Sequence, residues 1–338
     1  STYNGEMKGR KPYGRGKTIY PNGNTYEGEY VKGKREGKGT FSFADGERYE
    51  GDWYQDQQHG YGIYHFANNN RYEGMWYQDY QHGEGTMYYY TGDVYEGNWK
   101  NDKREGQGTY TWKEGARYIG SWAGDKKNGQ GTQTWSDGSR YTGTWKENQF
   151  SGEGTFEYAN GDKYVGSWEN GVQHGQGIYH FHTGERYEGN YINGQRTGQG
   201  VYLHANGDKY VGNFLNGVQQ GLGTFTWANG AVYTGEWKDN QRSGQGIYKW
   251  NQGDVYEGEW ASDLFNGQGT LTTIDGTTYK GGFVNGQKEG ACVEIDAQGN
   301  RFEGSYLEGR RHGPFTKTDK EGKVIQQGTY EKGRLKSN

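Results

Sequence analysis

The feature that most constrains this fold is a 23-residue repeat that runs through nearly all of the 338-residue chain. We count each repeat from its first aromatic residue, which we call position 0, and the repeats follow one another without insertion or deletion. These residues are Tyr3, Tyr26, Tyr49, Tyr72, Tyr95, Tyr118, Tyr141, Tyr164, Tyr187, Tyr210, Tyr233, Tyr256, Tyr279 and Phe302. Such regularity is typical of arrays in which each unit is one supersecondary element that packs against its neighbours.

Glycines and a second aromatic residue hold fixed places in the repeat. Glycine stands at positions 2 and 11 of all 14 repeats. It also stands at position 13, except at Cys292 and Phe315, and at position 20, except at Asn69. Position 4 is aromatic everywhere but at Met7, and tryptophan fills it in eight repeats. The unit therefore reads Y-x-G-x-W-x6-G-x-G-(T/I)-x5-G-x-x.

This spacing predicts β-hairpins. Side chains alternate along a strand, so positions 0, 2 and 4 share one face. A β-branched and aromatic run follows, as in GTYTW at 108–112, and is also typical of a strand. Pairs such as Asp45-Gly46 then favour a two-residue type I′ turn before the next tyrosine. The other connection has Gly, Asp or Asn at position 7 in 13 of 14 repeats, Arg10 being the exception, which also indicates left-handed backbone.

No segment shows the apolar period of a helix. The sequence therefore predicts an all-β fold, an elongated single-layer antiparallel meander of about 14 hairpin repeats of 23 residues, twisted and able to form a groove. We expect the position-0 and position-4 rings to lie over the glycine backbone as a continuous ladder that replaces an aliphatic core. A two-residue turn places position 0 on the same face as positions 14 and 16. Residues at positions 15 and 17, such as Phe41 and Phe43, would then face the opposite side.

Composition narrows the function classes. The 12 Trp, 32 Tyr and 12 Phe residues are too many for a disordered chain, and three prolines are too few for collagen. One cysteine excludes an internal disulfide and a cysteine-rich metal site. A net charge of −4 argues against a nucleic-acid partner. The chain shows no signal-peptide pattern and no long apolar stretch, so we expect a soluble cytoplasmic protein.

The charges are unevenly distributed. Residues 1–39 carry nine Lys/Arg against four acidic residues, residues 300–338 carry nine against five, and the remainder is acidic. Basic ends can contact an anionic surface, although this pattern is also that of an ordinary solvated surface. The candidate contacts are Lys8, Arg10, Lys11, Arg15, Lys17, Arg310 and Arg311.

Motifs for catalysis or cofactor binding are not found. The Gly-x-Gly pairs precede strands, whereas a dinucleotide fingerprint precedes a helix. His59, His82, His174 and His312 occupy one repeat position, so they indicate a repeat feature and not convergent metal ligands. Glu27, Glu50, Glu73, Glu96, Glu188 and Glu257 recur at position 1 as a solvated row. We therefore expect no enzyme, no cofactor and no metal site.

The repeat resembles the MORN repeat (membrane occupation and recognition nexus). The segments YEGDWYQDQQHGYG (49–62) and YVGSWENGVQHGQG (164–177) carry the resemblance most clearly. It covers an array at residues 1–313, with repeats in phase from residue 3, and residues 314–338 read as a degenerate C-terminal half-repeat or cap. The resemblance implies a hairpin sheet and non-enzymatic roles as scaffolds, membrane–cytoskeleton tethers or ciliary components. Some members carry an appended lipid kinase or lysine methyltransferase domain, for which no residues remain here.

Two functions follow from this reading. The first is a scaffold or adaptor at a cytoskeletal structure, a cilium or the cell cortex, which docks extended or helical segments of partner proteins. The second is a tether that binds phosphoinositides or other anionic lipids. Open sheet edges and irregular C-terminal repeats also suggest a homodimer through that end. The candidate docking residues, which alternatively only hold the sheet together, are Tyr49, Trp53, Tyr72, Trp76, Tyr95, Trp99, Tyr118, Trp122, Tyr141, Trp145, Tyr164, Trp168, Tyr233, Trp237, Tyr256 and Trp260.

Overall fold

A computed structural model describes residues 1–336, and all the regular elements in that range are β-strands. The chain divides into two units, unit 1 at Ser1–Val172 and unit 2 at Gln173–Asn338, and we describe each by itself.

Unit 1 contains fifteen strands, β1 to β15. Their bounds are Thr2–Lys8, Lys11–Ile19, Thr25–Val31, Lys34–Ser42, Arg48–Tyr54, Gln57–His65, Arg71–Tyr77, Tyr80–Tyr88, Val94–Lys100, Lys103–Thr111, Arg117–Ala123, Lys126–Thr134, Arg140–Lys146, Gln149–Glu157 and Lys163–Glu169. Unit 2 contains β16 to β31, of which β16 begins at the boundary residue. Their bounds are Val172–His180, Arg186–Ile192, Gln195–Leu203, Lys209–Leu215, Val218–Thr226, Val232–Lys238, Gln241–Lys249, Val255–Ala261, Leu264–Thr272, Thr278–Val284, Gln287–Ile295, Arg301–Leu307, Arg310–Arg311, Gly313–Thr318, Val324–Glu331 and Arg334–Leu335.

Within each unit, strands that follow one another along the chain pair antiparallel and form a meander. A seven-residue strand, which carries positions 0 to 4, alternates with a nine-residue strand. The predicted all-β fold of antiparallel hairpin repeats is therefore confirmed. Strand β29 pairs with both β27 and β30, so the tail predicted as a half-repeat adds a further hairpin. Its last two residues lie outside the described range.

The connection at positions 6 and 7 is the two-residue turn. In the third repeat Tyr54 pairs with Gln57, and the residues between them, Gln55 and Asp56, have φ of 47° and 71°. Positive φ at both central residues is the signature of a type I′ turn. The left-handed signal at position 7 is thus confirmed. The first repeat, which has Arg10 at position 7, is the exception: there Gly9 at position 6 has the positive φ, and Arg10 does not.

The connection at positions 17 to 21 differs from the prediction. The amide of Phe43 donates to the carbonyl of Glu47 at 2.9 Å, and the amide of Gly46 donates to the carbonyl of Phe43 at 3.1 Å. Gly46 has φ of 97°, whereas Asp45 has no positive φ. This is a three-residue loop with a type I turn and a glycine bulge. The type I′ prediction for the Asp-Gly and Asn-Gly pairs is therefore wrong.

The longer loop changes the register by one residue, which moves side chains to the other face. Tyr49 pairs directly with Phe41 in the preceding strand and with Tyr64 in the following one. The aromatic residues at positions 15 and 17 thus lie on the face of the position-0 tyrosines. The prediction that they face the opposite side is also wrong.

The core consists of tyrosine rings that lie flat on glycine. Tyr95 has 0% exposure and covers Gly97 and Gly108, which are paired across β9 and β10. A Cβ atom added to Gly108 would lie 2.2 Å from the Tyr95 hydroxyl and 2.5 Å from its Cζ. The hydroxyl donates to the carbonyl of Asn98 at 2.9 Å. The expectation that rings lie over the glycine backbone is confirmed.

In the eight repeats that have tryptophan at position 4, its side chain links the repeat to the one before it. Tyr95 makes edge-to-face contacts with Trp99 and with Trp122 of the next repeat, at centroid distances of 5.1 Å and 5.4 Å. The indole N–H of Trp122 donates to the carbonyl of Gly108 at 3.2 Å. Such ring pairs contribute about 0.5–1.5 kcal/mol each beyond their burial. Ring contacts of this kind recur from repeat to repeat within each unit and form the aromatic ladder that the spacing predicts.

Candidate functional site

The ladder residues are the core of the sheet. All sixteen candidate docking residues are buried, with exposures between 0% and 7%. They can contribute to a docking surface only as its floor, and their direct role in docking stays a prediction. The surface above them is formed by residues at positions 7, 9, 15 and 17, whose role sequence reasoning missed.

Unit 1 has a groove on this face with a volume of about 770 Å³. We call it the unit 1 groove. Half-buried rings at positions 15 and 17, from Phe43, Tyr64, Phe66 and Tyr89, form its walls. Neighbouring rings in the wall are in contact; for example, the ring centroids of Tyr64 and Phe66 lie 4.5 Å apart. The remaining lining residues are Gln58, Trp76, Asp79, Gln81, Met87, Trp99, Asp102, Arg104 and Asp125.

Position 9 lies directly over the ladder and varies between repeats. In unit 1 it is Arg35, Gln58, Gln81, Arg104, Lys127 and Phe150 from the second repeat onwards. The Arg104 guanidinium lies 4.6 Å from the Trp122 ring centroid, and the Lys127 ammonium lies 4.7 Å from that of Trp145. Phe150 instead stacks on Tyr141 at 4.0 Å. The residue at position 9 therefore decides how the rings below it are covered.

Position 7 of the next repeat completes the arginine sites. The Asp125 carboxylate accepts the backbone N–H of Arg104 at 2.9 Å and its side-chain Nε–H at 3.1 Å. The Arg104 Nη2 also donates to the Asp125 carbonyl at 2.9 Å. Arg35 with Asp56 and Arg242 with Asp263 repeat this geometry. The residue at position 7, which the sequence predicts only as a left-handed turn residue, thus also binds the preceding repeat.

Two adjacent repeats in unit 1, which lie between two repeats with arginine at position 9, have glutamine in its place. Gln58 and Gln81 occupy position 9 there, and the matching carboxylates belong to Asp79 and Asp102. Each carboxylate accepts the backbone N–H of its glutamine at 2.8 Å. Within residues 1–336, neither carboxylate forms an ion pair. The groove is open where a guanidinium lies in neighbouring repeats.

At the rim of the groove, carboxylates at position 21 accept hydrogen bonds from tyrosines at position 15. The Tyr64 hydroxyl donates to the Glu47 carboxylate at 2.5 Å, and that carboxylate also accepts the N–H of Ala67 at 3.2 Å. Tyr110 and Asp93 form the same hydroxyl–carboxylate contact at 2.9 Å. Burial, followed by the bond to Glu47, raises the pKa of Tyr64 above its usual value. The rim tyrosines therefore stay protonated and act as hydrogen-bond donors.

Unit 2 has a corresponding groove of about 540 Å³, the unit 2 groove. Its rings include Tyr202, Phe225 and Trp227. Here the position-9 glutamine, Gln219, is matched by Asn240, whose side-chain oxygen accepts the Gln219 N–H at 2.7 Å. The same backbone contact is thus made without a negative charge.

The basic candidates fall in both units. Lys8, Arg10, Lys11, Arg15 and Lys17 are exposed on or beside β1 and β2, and Lys17 pairs with Glu27 at 3.3 Å. In unit 2, Arg310 is exposed. Arg311 is only partly exposed, because it lies 4.1 Å over the Phe302 ring and pairs with Glu294 at 3.2 Å. Of the seven, Arg311 is the least available to an external ligand.

Other candidate groups have structural surroundings. Cys292 is buried opposite Gly281, as expected for a residue in a glycine position, and burial raises the pKa of its thiol to about 11. The Nδ1 of His174 accepts the N–H of Asn193 at 3.4 Å, so this histidine belongs to a turn contact. No group of three or more metal-ligating side chains lies together within the described residues. Within the described residues, 1–336, we find no helix that could cross a bilayer.

Comparisons with known proteins agree with the repeat reading. The family model described as MORN repeat matches fourteen consecutive segments, from 3–25 in 23-residue steps to 279–301 and then 302–314. No curated protein matches the chain. Among solved structures, the TCP domain of Drosophila melanogaster SAS-4 (dCPAP), in complex with a proline-rich motif of Ana2, is 14% identical to this chain, with a TM-score of 0.30. That match covers 52% of this chain and 90% of the chain in the SAS-4 structure. The TCP10 domain of Danio rerio CPAP is 12% identical with a TM-score of 0.19, covering 79% and 99%. At these scores neither likeness bears on fold or function.

Proposed function

This chain belongs to the MORN repeat family, and we propose that it is a non-enzymatic scaffold or adaptor that docks segments of partner proteins on its aromatic face. The observation that carries the proposal is the unit 1 groove. Its walls are half-buried aromatic rings over a fully formed core, so they are not needed to fill that core. Tyrosine and tryptophan are the residues most enriched at binding hot spots.

A photo-cross-linking residue tests the proposal. Placed at Phe66 in the groove wall, it should capture the same partner bands that a Phe66→Ala or Tyr89→Ala variant fails to retain in pull-downs. The matched control is Tyr61, which is 47% exposed and belongs to the opposite face of the sheet. Equal capture from Tyr61 and Phe66, or full retention of partners by both alanine variants, would refute docking in the groove.

A second candidate is binding to anionic lipid surfaces. The exposed cluster Lys8, Arg10, Lys11 and Arg15 favours it, since each basic residue near an anionic leaflet contributes about 1 kcal/mol. Flotation with phosphatidylserine and phosphoinositide vesicles at low and high salt is the measurement. Lipid binding requires flotation at low salt that a quadruple Lys/Arg→Glu variant abolishes. Recovery of the wild-type chain in the pellet at low salt would exclude this function.

The cellular setting and the oligomeric state are part of the proposal. The family's roles favour a cytoplasmic protein at the cytoskeleton, a cilium or the cell cortex, which imaging of the tagged chain in its own cell would check. The irregular C-terminal repeats, with Cys292, Pro314 and Phe315, favour a homodimer through that end. A monomeric mass in light scattering at micromolar concentration would contradict it.

A further inference from the structure

We propose that the unit 1 groove recognises a helical partner segment through two arginine side chains placed one repeat apart. One guanidinium would enter the site formed by Gln58 and Asp79, and the other the site formed by Gln81 and Asp102. This inference rests on the proposed docking function and deepens it by naming the chemistry of the partner.

The chain itself shows how a guanidinium fits such a site. At Arg104 the group lies over Trp122 at 4.6 Å, while its Nε and Nη2 donate to the Asp125 carboxylate and carbonyl at 3.1 Å and 2.9 Å. Arg35 lies over Trp53 at 4.4 Å and makes the same two contacts with Asp56. A planar donor pair over an aromatic face is the arrangement that arginine satisfies best.

The two glutamine sites keep this receptor and lack the cation. Asp79 and Asp102 each use one carboxylate oxygen to accept a backbone N–H, and no ion pair within residues 1–336 neutralises either of them. Gln58 and Gln81 are 7% and 4% exposed and line the groove, yet their side chains form no hydrogen bond in the described part of the chain. The glutamine amides have hydrogen-bonding capacity that the described residues do not use, and the exposed carboxylates of Asp79 and Asp102 carry negative charge that no cation among those residues pairs with. These four side chains together point to a ligand that donates hydrogen bonds and carries positive charge.

The spacing selects the form of the segment. Successive repeats are two strands apart, which is about 10 Å at the usual inter-strand distance. Seven residues of an α-helix advance by roughly the same length and return to the same face. The partner therefore presents arginines at i and i+7 of a helix, with apolar side chains between them for Phe66 and Tyr89. The unit 2 groove has neutral Asn240 at the equivalent place and should not show this preference.

Two synthetic helical peptides test the inference on the full chain. They share an alanine- and leucine-based sequence and differ only at two positions seven residues apart, which hold arginine in one and its uncharged isostere citrulline in the other. Fluorescence anisotropy gives both affinities at two salt concentrations. We expect the arginine peptide to bind at least tenfold more tightly, and its affinity to fall with salt.

Variants locate the binding. The double variant Gln58→Arg and Gln81→Arg fills both sites from within, as Arg35 and Arg104 do in their own repeats, and should weaken the arginine peptide at least tenfold without unfolding. Asp79→Asn with Asp102→Asn should weaken it similarly, since Asn148 and Asn240 show that asparagine keeps the backbone contact. The matching change in unit 2, Gln219→Arg, should leave the affinity unchanged.

The outcomes separate this inference from the proposed function. Equal binding of the two peptides, or unchanged arginine-peptide affinity in the Gln58→Arg and Gln81→Arg variant, overturns the arginine inference while docking in the groove stands. Binding of neither peptide also overturns the arginine inference. The proposed function fails separately, if the cross-linker at Phe66 captures no partner that depends on the groove.

Discussion

Replacing Gly108 with alanine tests whether the rings or the backbone alone hold the repeats together. Gly108 lies in regular extended backbone, where a glycine-to-alanine change usually stabilises by about 0.4–1 kcal/mol through the unfolded state. Here the new Cβ would lie 2.2 Å from the Tyr95 hydroxyl and 2.6 Å from its Cε2, so the ring must lift off the sheet. The sign of the effect therefore decides between the two views.

The magnitude follows from the contacts that a lifted ring loses. The hydrogen bond from Tyr95 to the Asn98 carbonyl, 2.9 Å long, contributes about 1 kcal/mol. The edge-to-face contacts with Trp99 and Trp122 contribute about 0.5–1.5 kcal/mol each. We expect Gly108→Ala to lower the free energy of unfolding by about 1–3.5 kcal/mol, which is the sum of these losses less the stabilisation of about 0.4–1 kcal/mol through the unfolded state.

Urea unfolding followed by tryptophan fluorescence measures this loss, and hydrogen exchange in β9 to β11 shows whether it is local, as nearest-neighbour coupling in a repeat array requires. Two controls isolate the ring. In a Tyr95→Leu background the alanine should cost little, whereas Gly115→Ala, at φ of 94° with nothing within 4 Å of its Cβ, should cost the same in both backgrounds. A neutral or stabilising Gly108→Ala, or an equal cost without Tyr95, would refute the reasoning.

Three further predictions address single contacts. Trp237→Phe keeps a ring, as Phe214 does in the preceding repeat, but removes the 3.1 Å hydrogen bond from the indole N–H to the Gly223 carbonyl. We expect the free energy of unfolding in urea to fall by about 1–2 kcal/mol, and an unchanged midpoint would contradict this. Asn69 has φ of 68°, so Asn69→Ala should destabilise by about 1 kcal/mol while Asn69→Gly stays within a few tenths, as compared by the same assay. Burial, with a smaller contribution from Arg104, lowers the pKa of Lys127 to about 8, below the unfolded value of about 10.4. The unfolded chain then binds more protons between these values, so stability should rise from pH 8 to pH 10. Melting temperatures of Lys127→Gln should show a flatter profile over that range.

The repeat positions that build the core could be read from the sequence because each has one physical use. Tyrosine at position 0 and glycine at positions 2 and 13 recur because a Cβ atom beneath the flat ring, as at Gly62 or Gly85, would clash with it. The 0% exposure of Tyr49 and Tyr72 reflects this close packing. Glycine at position 11 recurs because the strand carries a bulge there, with φ of 68° at Gly37 and 72° at Gly106. One function per position leaves an unambiguous pattern.

The faces of the strands could not be read in the same way. An Asp-Gly pair such as Asp45-Gly46 fits both a two-residue type I′ turn and a three-residue loop with a glycine bulge. The choice between them moves every side chain at positions 15 and 17 to the other face. Sequence alone does not contain the hydrogen bond from Phe43 to Glu47 that fixes the longer loop. The sequence therefore predicts a sheet that can form a groove but places the residues at positions 15 and 17, which form its walls, on the wrong face.

The same register explains how one scaffold can carry different specificities. Positions 0, 2, 4, 11 and 13 are committed to the core, so changes there disturb the fold. Position 9 lies above the core and tolerates Arg35, Gln58, Lys127 or Phe150. Phe150 closes its site by stacking on Tyr141 at 4.0 Å, arginine closes its site by pairing with the next repeat, and glutamine leaves its site open. In the proposed docking mode, the order of residues at position 9 therefore sets where along each unit a partner segment can enter, and the residue at position 7 sets the charge that the segment meets. Arg35→Gln combined with Gln58→Arg should leave the core unchanged and place the two open sites at residues 35 and 81, two repeats apart. The arginine peptide, whose arginines are one repeat apart, should then bind more weakly than it binds the unaltered chain.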